Sequence, residues 1–372
     1  LFGYVSYDVI RLIENLPNIN IDELGVPDIR LIRPTILIVL DSIKNELIVA
    51  SPAWANDKQS LKNTYDNSVK IIEKTVLQVA QPRKKAKRKE IPYSYIGKPV
   101  SNFTKKAYLN IVNKAKKYIK SGDIFQVVPS QRWKMKYLLP GFSLYRSLRR
   151  TNPSPYMFYF DFGDFSIIGS SPEILVKVEN GDEVTIRPIA GTRPRGLNER
   201  EDKLLESELL NDKKELAEHL MLLDLGRNDI GRVSKIGSVK ITESFVIERY
   251  SHVMHIVSNV IGKLSEDVNN VSALLSGLPA GTVSGAPKIR AMEIIDELEN
   301  EKRSIFGGGV GYFGASGQMD FCIAIRTAIL KNQKLYLQAG GGIVFDSDAE
   351  TEFEETVNKS KALIKAAKES IH

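Results

Sequence analysis

Apolar residues recur along this chain in two rhythms, alternation for strands and a spacing of three and four for helices. Strands are predicted over 1–7, 35–40 and 46–50, followed by a helix over 60–79. Tyr108, Ile111, Val112, Ala115, Tyr118 and Ile119 share one helical face, and Ser121 with Gly122 ends that helix. Strands then crowd together over 124–128, 155–162, 166–169, 174–178 and 184–189, ahead of two helices over 199–210 and 212–224. Further on come strands over 239–247 and 252–262, a helix opening at Pro287, a hairpin turning at the Gly314–Gly317 stretch GASG, and strands over 320–330 and 334–338. Strands that arrive in runs joined by tight turns, without strict alternation with helices, predict largely antiparallel sheets with helices outside, an α+β fold. No internal repeat is visible.

The length of 372 residues allows one large domain or two of ordinary size. With 42% hydrophobic and 26% charged residues the composition is that of a soluble globular protein. The longest uninterrupted apolar run, 36–40, is far too short to span a bilayer, and no charged start with an apolar stretch and cleavage site appears, so the protein reads as cytoplasmic. The chain opens at Leu1 inside a strand-like stretch, and a preceding N-terminal segment is expected.

A net charge of +7 permits anionic partners, either nucleic acid or a small acidic substrate. Much of that excess sits in Arg83, Lys84, Lys85, Lys87, Arg88 and Lys89, between Pro82 and Pro92 and without apolar periodicity. This predicts a solvated linker over 81–100, separating a partial N-terminal subdomain over 1–80 from the main region over 101–368. A nucleic-acid-binding tail is the competing reading, which no aromatic stacking platform or finger motif supports.

Two Glu-x-x-Glu pairs, Glu215/Glu218 and Glu352/Glu355, each lie in an amphipathic helical stretch. Three residues apart on a helix, both carboxylates of a pair share a face. Such pairs are commonly solvated surface; were the two faces to meet, four carboxylates in one space would call for a hard divalent cation such as magnesium or manganese. His219 follows the first pair, and Lys359 lies one turn beyond the second. Cys322 is the sole cysteine and sits among apolar neighbours, which excludes an internal disulfide and a cysteine-based metal cluster and reads as a buried thiol.

Gly309, Gly311 and Gly314 match the spacing of a dinucleotide fingerprint, but a hairpin strand follows where that fingerprint needs a helix. PAGTVSGAPK, with Thr282 and Pro287, reads either as a helix cap or as an anion cradle at a helix N-terminus, and GTRPRG from Gly191 as a glycine turn leaving the strand over 184–189. His255 lies in a strand-like stretch, where a satisfied core histidine is the ordinary reading. Arg326 lies among apolar residues and needs an anionic partner, internal or bound. Glu173, an acid at a strand start, is open to a structural salt bridge.

PIAGTRPRG, DKKELAEHLMLLDLGRNDIGRV, PAGTVSGAPK, QAGGGIV and EFEETVNKS stand in the order and spacing of the chorismate-utilising enzymes. Together they resemble the anthranilate synthase component I family over essentially the whole chain, most strongly over 101–366. The resemblance implies that family's fold, antiparallel sheets packed as a sandwich with flanking helices. It implies chorismate as substrate, magnesium held by Glu218 and Glu355 with Glu215 and Glu352 nearby, and Arg326, Lys359 and the Gly340, Gly341, Gly342 backbone around the substrate carboxylates. Gly191, Thr192 and Thr282 are then expected along the ring pocket, Glu173 as the acid that protonates the departing C4 hydroxyl, and His255 in the elimination of pyruvate.

Within the family, relatives that add water place a lysine base where Gln126 stands, and the 4-amino branch places a nucleophilic lysine where Ala190 stands. Both absences point to amination at C2 by ammonia, and away from aminodeoxychorismate or isochorismate synthesis. Phe306 replaces a common tyrosine, which makes it a pocket wall and not a donor. The resemblance also implies a glutamine amidotransferase subunit as partner in a hetero-oligomer. It further implies tryptophan feedback through Pro155, Tyr156, Met157, Val310, Gly311, Tyr312, Asp320 and Cys322, together with a serine motif expected before Leu1.

Overall fold

The computed structural model describes residues 1–54, 60–82, 92–250 and 253–371. The basic run over 83–89 and its expected linker role lie outside the described residues. The chain divides into two compact units, one of Leu1–Phe2 with Leu31–Glu90 and one of Gly3–Arg30 with Ile91–His372. In the smaller, the hairpin Leu37–Asp41 and Glu46–Ala50 closes with Asp41 opposite Glu46, and the helix Leu61–Ala80 (α1) starts at Ser60, whose hydroxyl accepts the Asn63 N–H at 3.3 Å.

The larger unit is built from two antiparallel sheets. One runs in the spatial order Val100–Ser101, Ser130–Lys136, Lys334–Gly340, Thr327–Lys331, Phe165–Ser171, Tyr156–Asp161. The other includes the path Ile189–Pro194, Val253–Lys263, Glu183–Ile186, Ile174–Glu179, Met319–Ile323, Gly309–Phe313, with Lys240–Arg249 also paired to Val253–Lys263.

The period of two in these strands sorts their side chains into layers. Ile167, Ile329 and Tyr336 of the first sheet meet Val310 and Cys322 of the second in one cluster between the sheets. Their neighbours Ile168, Ala328, Leu335 and Leu337 point the other way, onto the helices Gly141–Thr151 (α3) and Ala349–Glu369 (α8). Likewise Phe321 and Ile323 point away from Cys322, into a cluster with Leu223 and Ile230 of the helix Lys213–Gly231 (α5) and Ala273 and Leu274 of Asn270–Gly277 (α6). Helices therefore cover the outer face of each sheet, the α+β arrangement expected from the strand pattern, packed as the sandwich that the family resemblance implied. The helices Lys105–Lys120 (α2) and Lys288–Leu298 (α7) pack together beside a short ribbon pairing Gln126–Val127 with Gly285–Ala286; Glu199–Asn211 (α4) precedes α5.

Several boundaries differ from the sequence pattern for local reasons. The expected N-terminal strand over 1–7 stops at Val5, and Tyr7–Leu12 turns as a 3-10 helix. The strand expected over 184–189 breaks at Arg187–Pro188, where proline has no N–H for the ladder, and a separate strand Ile189–Pro194 follows. The glycine turn expected at Gly191 is instead a bulge within that strand: the register to Val253–Lys263 shifts between Ala190 and Thr192, and Gly191 has φ 64°. The strand expected over 320–330 is two, because Arg326 at φ 51° turns the chain between them. Pro287 caps α7 in an extended conformation and the helix begins at Lys288.

Candidate active site

One cavity of about 690 Å³ gathers residues from motifs distant in the chain. Its walls include Gln126, Glu173, Gly191, Thr192, Glu215, Glu218, His255, Thr282, Phe306, Arg326, Gly340, Gly342, Glu352, Glu355 and Lys359. Gly341 lies between two of these. A built Cβ on it would stand 3.3 Å from Glu352 Oε2.

Both glutamate pairs face this space. Asp212 caps α5, its carboxylate accepting the Lys214 and Glu215 N–H groups at 3.0 and 3.3 Å, so Glu215 and Glu218 fall in the first turns. Asp348 caps α8 in the same way through the Thr351 N–H at 3.0 Å, which places Glu352 in its first turn and Glu355 one turn on. Two helix N-termini thus offset part of the negative charge. Burial holds the Glu215, Glu218 and Glu352 carboxyls above their usual range, with repulsion from Glu218 on Glu215 and from Glu355 on Glu218 and Glu352 adding to it. Lys359 answers one of the four, its ammonium 2.5 Å from Glu355 Oε1 and donating to the Gly340 carbonyl at 3.0 Å.

A hard cation fits this donor set. Glu352 Oε2 is buried with no hydrogen-bond partner, and four carboxylates share one cavity. Among the described residues no three His, Cys, Asp or Glu side chains already converge as a cage. His219 stays out of the site: it is fully buried on the other side of α5, with Nε2 2.7 Å from Ser258 Oγ and its pKa pushed down to about 4 by burial.

Gln126 sits beside the first pair, 2% exposed, with Nε2 donating to Glu218 Oε1 at 3.0 Å and Oε1 left without a partner. Its backbone is fixed by the ribbon to Gly285, where φ is 135° and any Cβ would meet the Gln126 carbonyl at 2.2 Å. Glycine is the residue that permits so close an approach.

Across the cavity, Thr282 Oγ1 donates to Glu173 Oε2 at 3.1 Å. Desolvation keeps the Glu173 carboxyl above its ordinary value, with the Thr282 hydrogen bond and the Lys359 and Arg326 charges pulling the other way. Thr282 lies in the short 3-10 turn Gly281–Val283, separated from α7 by the ribbon, so PAGTVSGAPK serves the carboxyl of Glu173 and does not form an anion cradle at a helix N-terminus. The Arg326 guanidinium donates to the Lys359 carbonyl at 3.0 Å and has no ion pair among the described residues. It is therefore available to an anion in the cavity.

Strand alternation aims His255 and Val253 into the cavity and Met254 and Ile256 into the core. His255 Nδ1 lies 3.0 Å from the Gly191 carbonyl and 3.1 Å from Thr192 Oγ1. A carbonyl only accepts, so Nδ1 carries the proton and Nε2 is the free base of the neutral ring; burial, with the nearby Arg326 charge, holds its pKa below the usual histidine value.

Lys214 and Tyr250 also line the cavity and were not singled out by sequence reasoning. Each adjoins a motif that was, Lys214 beside Glu215 and Tyr250 edge-on to His255 with ring centroids 5.7 Å apart. The residues expected to serve tryptophan feedback are only partly brought together. Tyr156 donates to Asp320 at 3.0 Å, Cys322 lies against the Val310 carbonyl at 3.3 Å, and Tyr312 pairs across the strands with Asp320. Pro155 lines the large cavity and Met157 packs on the other side of its strand. Burial pushes the Cys322 thiol up to about 12, as expected of an inert core cysteine.

The model of the chorismate binding enzyme family matches residues 1–365. The chain is 59% identical to anthranilate synthase component 1 of Cereibacter sphaeroides, over all of this chain and 74% of that one, and 50% identical to that of Pseudomonas aeruginosa, over 98% of this chain and 74% of the relative. Among solved structures it superposes on anthranilate synthase component I from Streptococcus pneumoniae TIGR4 with a TM-score of 0.87 at 43% identity, covering 97% of this chain and 79% of that one. The menaquinone-specific isochorismate synthase of Escherichia coli, 22% identical with a TM-score of 0.70 over 86% of this chain and 71% of that one, shares the fold. The chain therefore belongs to the chorismate binding enzyme family, among its anthranilate synthase component I members.

Proposed function

We propose that this enzyme aminates chorismate at C2 with ammonia and then expels pyruvate, releasing anthranilate. The observation that carries this reading is the cavity itself, in which the four carboxylates, the unpaired Arg326 guanidinium, the Glu173 carboxyl and the Gln126 amide line one space.

Chorismate is a dianion, and Arg326 with Lys359 would bind and orient its carboxylates. Glu218 and Glu355, with Glu215 and Glu352 close by, would hold magnesium, which when bound supplies positive charge for the ring carboxylate. The unpartnered Gln126 Oε1 accepts an N–H of ammonia, orienting it toward C2; an amide has no basicity at neutral pH with which to activate water. As the C–N bond forms, the ring double bonds shift and the C4–O bond breaks, and the added nitrogen releases its extra proton to solvent. Glu173, whose carboxyl burial holds above its ordinary value, gives its proton to that oxygen, which leaves as water. His255 Nε2 then takes the C2 proton while the C3–O bond breaks, so that the ring becomes aromatic and enolpyruvate departs, becoming pyruvate as its methylene carbon takes up a proton. Phe306 closes the pocket as an apolar wall.

Ammonia would come from a glutaminase partner, consistent with relatives named as a first component. The Tyr156–Asp320 contact beside Val310 and Cys322 is the proposed tryptophan site. The function is tested by following anthranilate fluorescence. Its appearance should require chorismate, magnesium and ammonium together, and its absence with all three present would refute the reading. His255→Met should spare amination and slow elimination by about 10²-fold, so that an aminated, pyruvyl-bearing intermediate accumulates by mass spectrometry. A variant in which both steps slow equally would remove that role.

A further inference from the structure

Arg303 is 2% exposed and lies outside the large cavity, yet the two carbonyls it binds belong to Val128 and Val283, which line it, while its guanidinium also lies over the Tyr7 ring, 4.9 Å from the ring centre. Its Nη1 donates to the Val283 carbonyl and its Nη2 to the Val128 carbonyl, both at 2.6 Å. Nε and Nη2 also donate to Glu299 across 2.6 to 3.2 Å. Glu299 Oε1 in turn accepts the Ser130 N–H at 2.7 Å and hydroxyl at 2.8 Å, and Ser130 Oγ accepts from Gln338 Nε2 at 2.7 Å. The Phe306 N–H closes on the Arg303 carbonyl at 3.2 Å, and the guanidinium carbon lies 5.5 Å from the Phe306 ring centre.

Val283 follows Thr282, the donor to Glu173, and Val128 directly follows the short strand Gln126–Val127. One planar fork therefore ties together the turn that holds the acid, the strand that carries the amide, and the Phe306 wall. A buried charge pair is expensive to desolvate, and an apolar core of similar volume commonly serves stability as well or better. Lysine has one ammonium and cannot reproduce three donor directions in a plane.

We propose that Arg303, locked by Glu299, is a positioning residue that sets the Thr282–Glu173 hydrogen bond. This rests on the reading of Glu173 as the proton donor. The Thr282 hydroxyl lowers the proton affinity of Glu173. Weakening that bond leaves the carboxyl protonated to higher pH, so the basic limb of kcat, which marks loss of the acid form, moves up.

The test compares pH profiles of kcat for wild type, Thr282→Val, Arg303→Lys and the double variant, with KM for chorismate and thermal unfolding measured alongside. Arg303→Lys is expected to lower kcat about tenfold with little change in KM, to move the basic limb in the same direction as Thr282→Val, and to add no further displacement in the double variant. A lowered melting temperature with an unmoved limb overturns the proposal, because a merely structural residue would give that result. Should Arg303→Lys not fold, Glu299→Gln, which keeps an acceptor at Oε1, is expected to move the limb the same way. Failure of both to fold assigns the pair to folding alone and also overturns it. A limb that Thr282→Val itself leaves unmoved counts against Glu173 as the acid, a failure distinct from that of Arg303.

Discussion

Glu218→Gln and Glu355→Gln should each cut magnesium-dependent turnover by about 10³-fold or more while leaving the fold intact. The size follows from losing several kcal/mol of charge stabilisation, at about 1.4 kcal/mol per factor of ten. Both carboxylates face the same cavity from separate helices, and glutamine preserves their shape and removes only the charge. A second readout separates metal binding from a general loss. In metal-free buffer the crowded carboxylates repel, so Glu218→Gln should melt at the wild-type temperature or about 1 to 3 °C above it and Glu355→Gln, which also gives up the Lys359 ion pair, near the wild-type temperature, whereas magnesium should raise the melting temperature of wild type alone.

The sign with pH follows from the raised carboxyls of Glu215, Glu218 and Glu352. A group whose folded pKa lies above its unfolded value stabilises fully below the unfolded pKa, and that contribution fades as pH rises through the folded one. Metal-free protein should therefore lose stability from mildly acidic pH upward, and magnesium should flatten that decline. Turnover in both variants equal to wild type, with undiminished stabilisation by magnesium, would remove the metal assignment.

Glu173→Gln should lower kcat by about 10² to 10⁴-fold, the range of a positioned general acid, with KM for chorismate changed far less. The amide cannot supply a proton to a leaving hydroxyl. Desolvation holds the Glu173 carboxyl above its ordinary value, so in wild type kcat should fall as pH rises through that raised pKa, and this basic limb should vanish in the variant. Retention of the limb in Glu173→Gln would assign it to another group.

Motif residues picked out the lining of the cavity better than periodicity placed the ends of the elements. Glu215 with Glu218 and Glu352 with Glu355 were readable as pairs because helical spacing is local, but that the two pairs meet depends on α5 and α8 converging at one cavity from opposite outer faces of the sandwich. Sandwich layering was implicit in alternations such as Phe321–Cys322–Ile323, whose members go to different cores. The bulge at Gly191 and the break at Arg326 were not legible, since each depends on a backbone dihedral that the residue pattern does not encode. Arg303 shows the same limit: in sequence it is one arginine near a glycine run, four residues after Glu299, and only the fold brings the Val128 and Val283 carbonyls within reach of its fork.

The most direct measurement supplies purified enzyme with chorismate, magnesium and ¹⁵N-labelled ammonium and identifies the products by mass and fluorescence. The expected result is pyruvate and anthranilate carrying the label in its amino group at C2. A hydroxylated ring product, a 4-amino product, or an unconsumed substrate would contradict C2 amination.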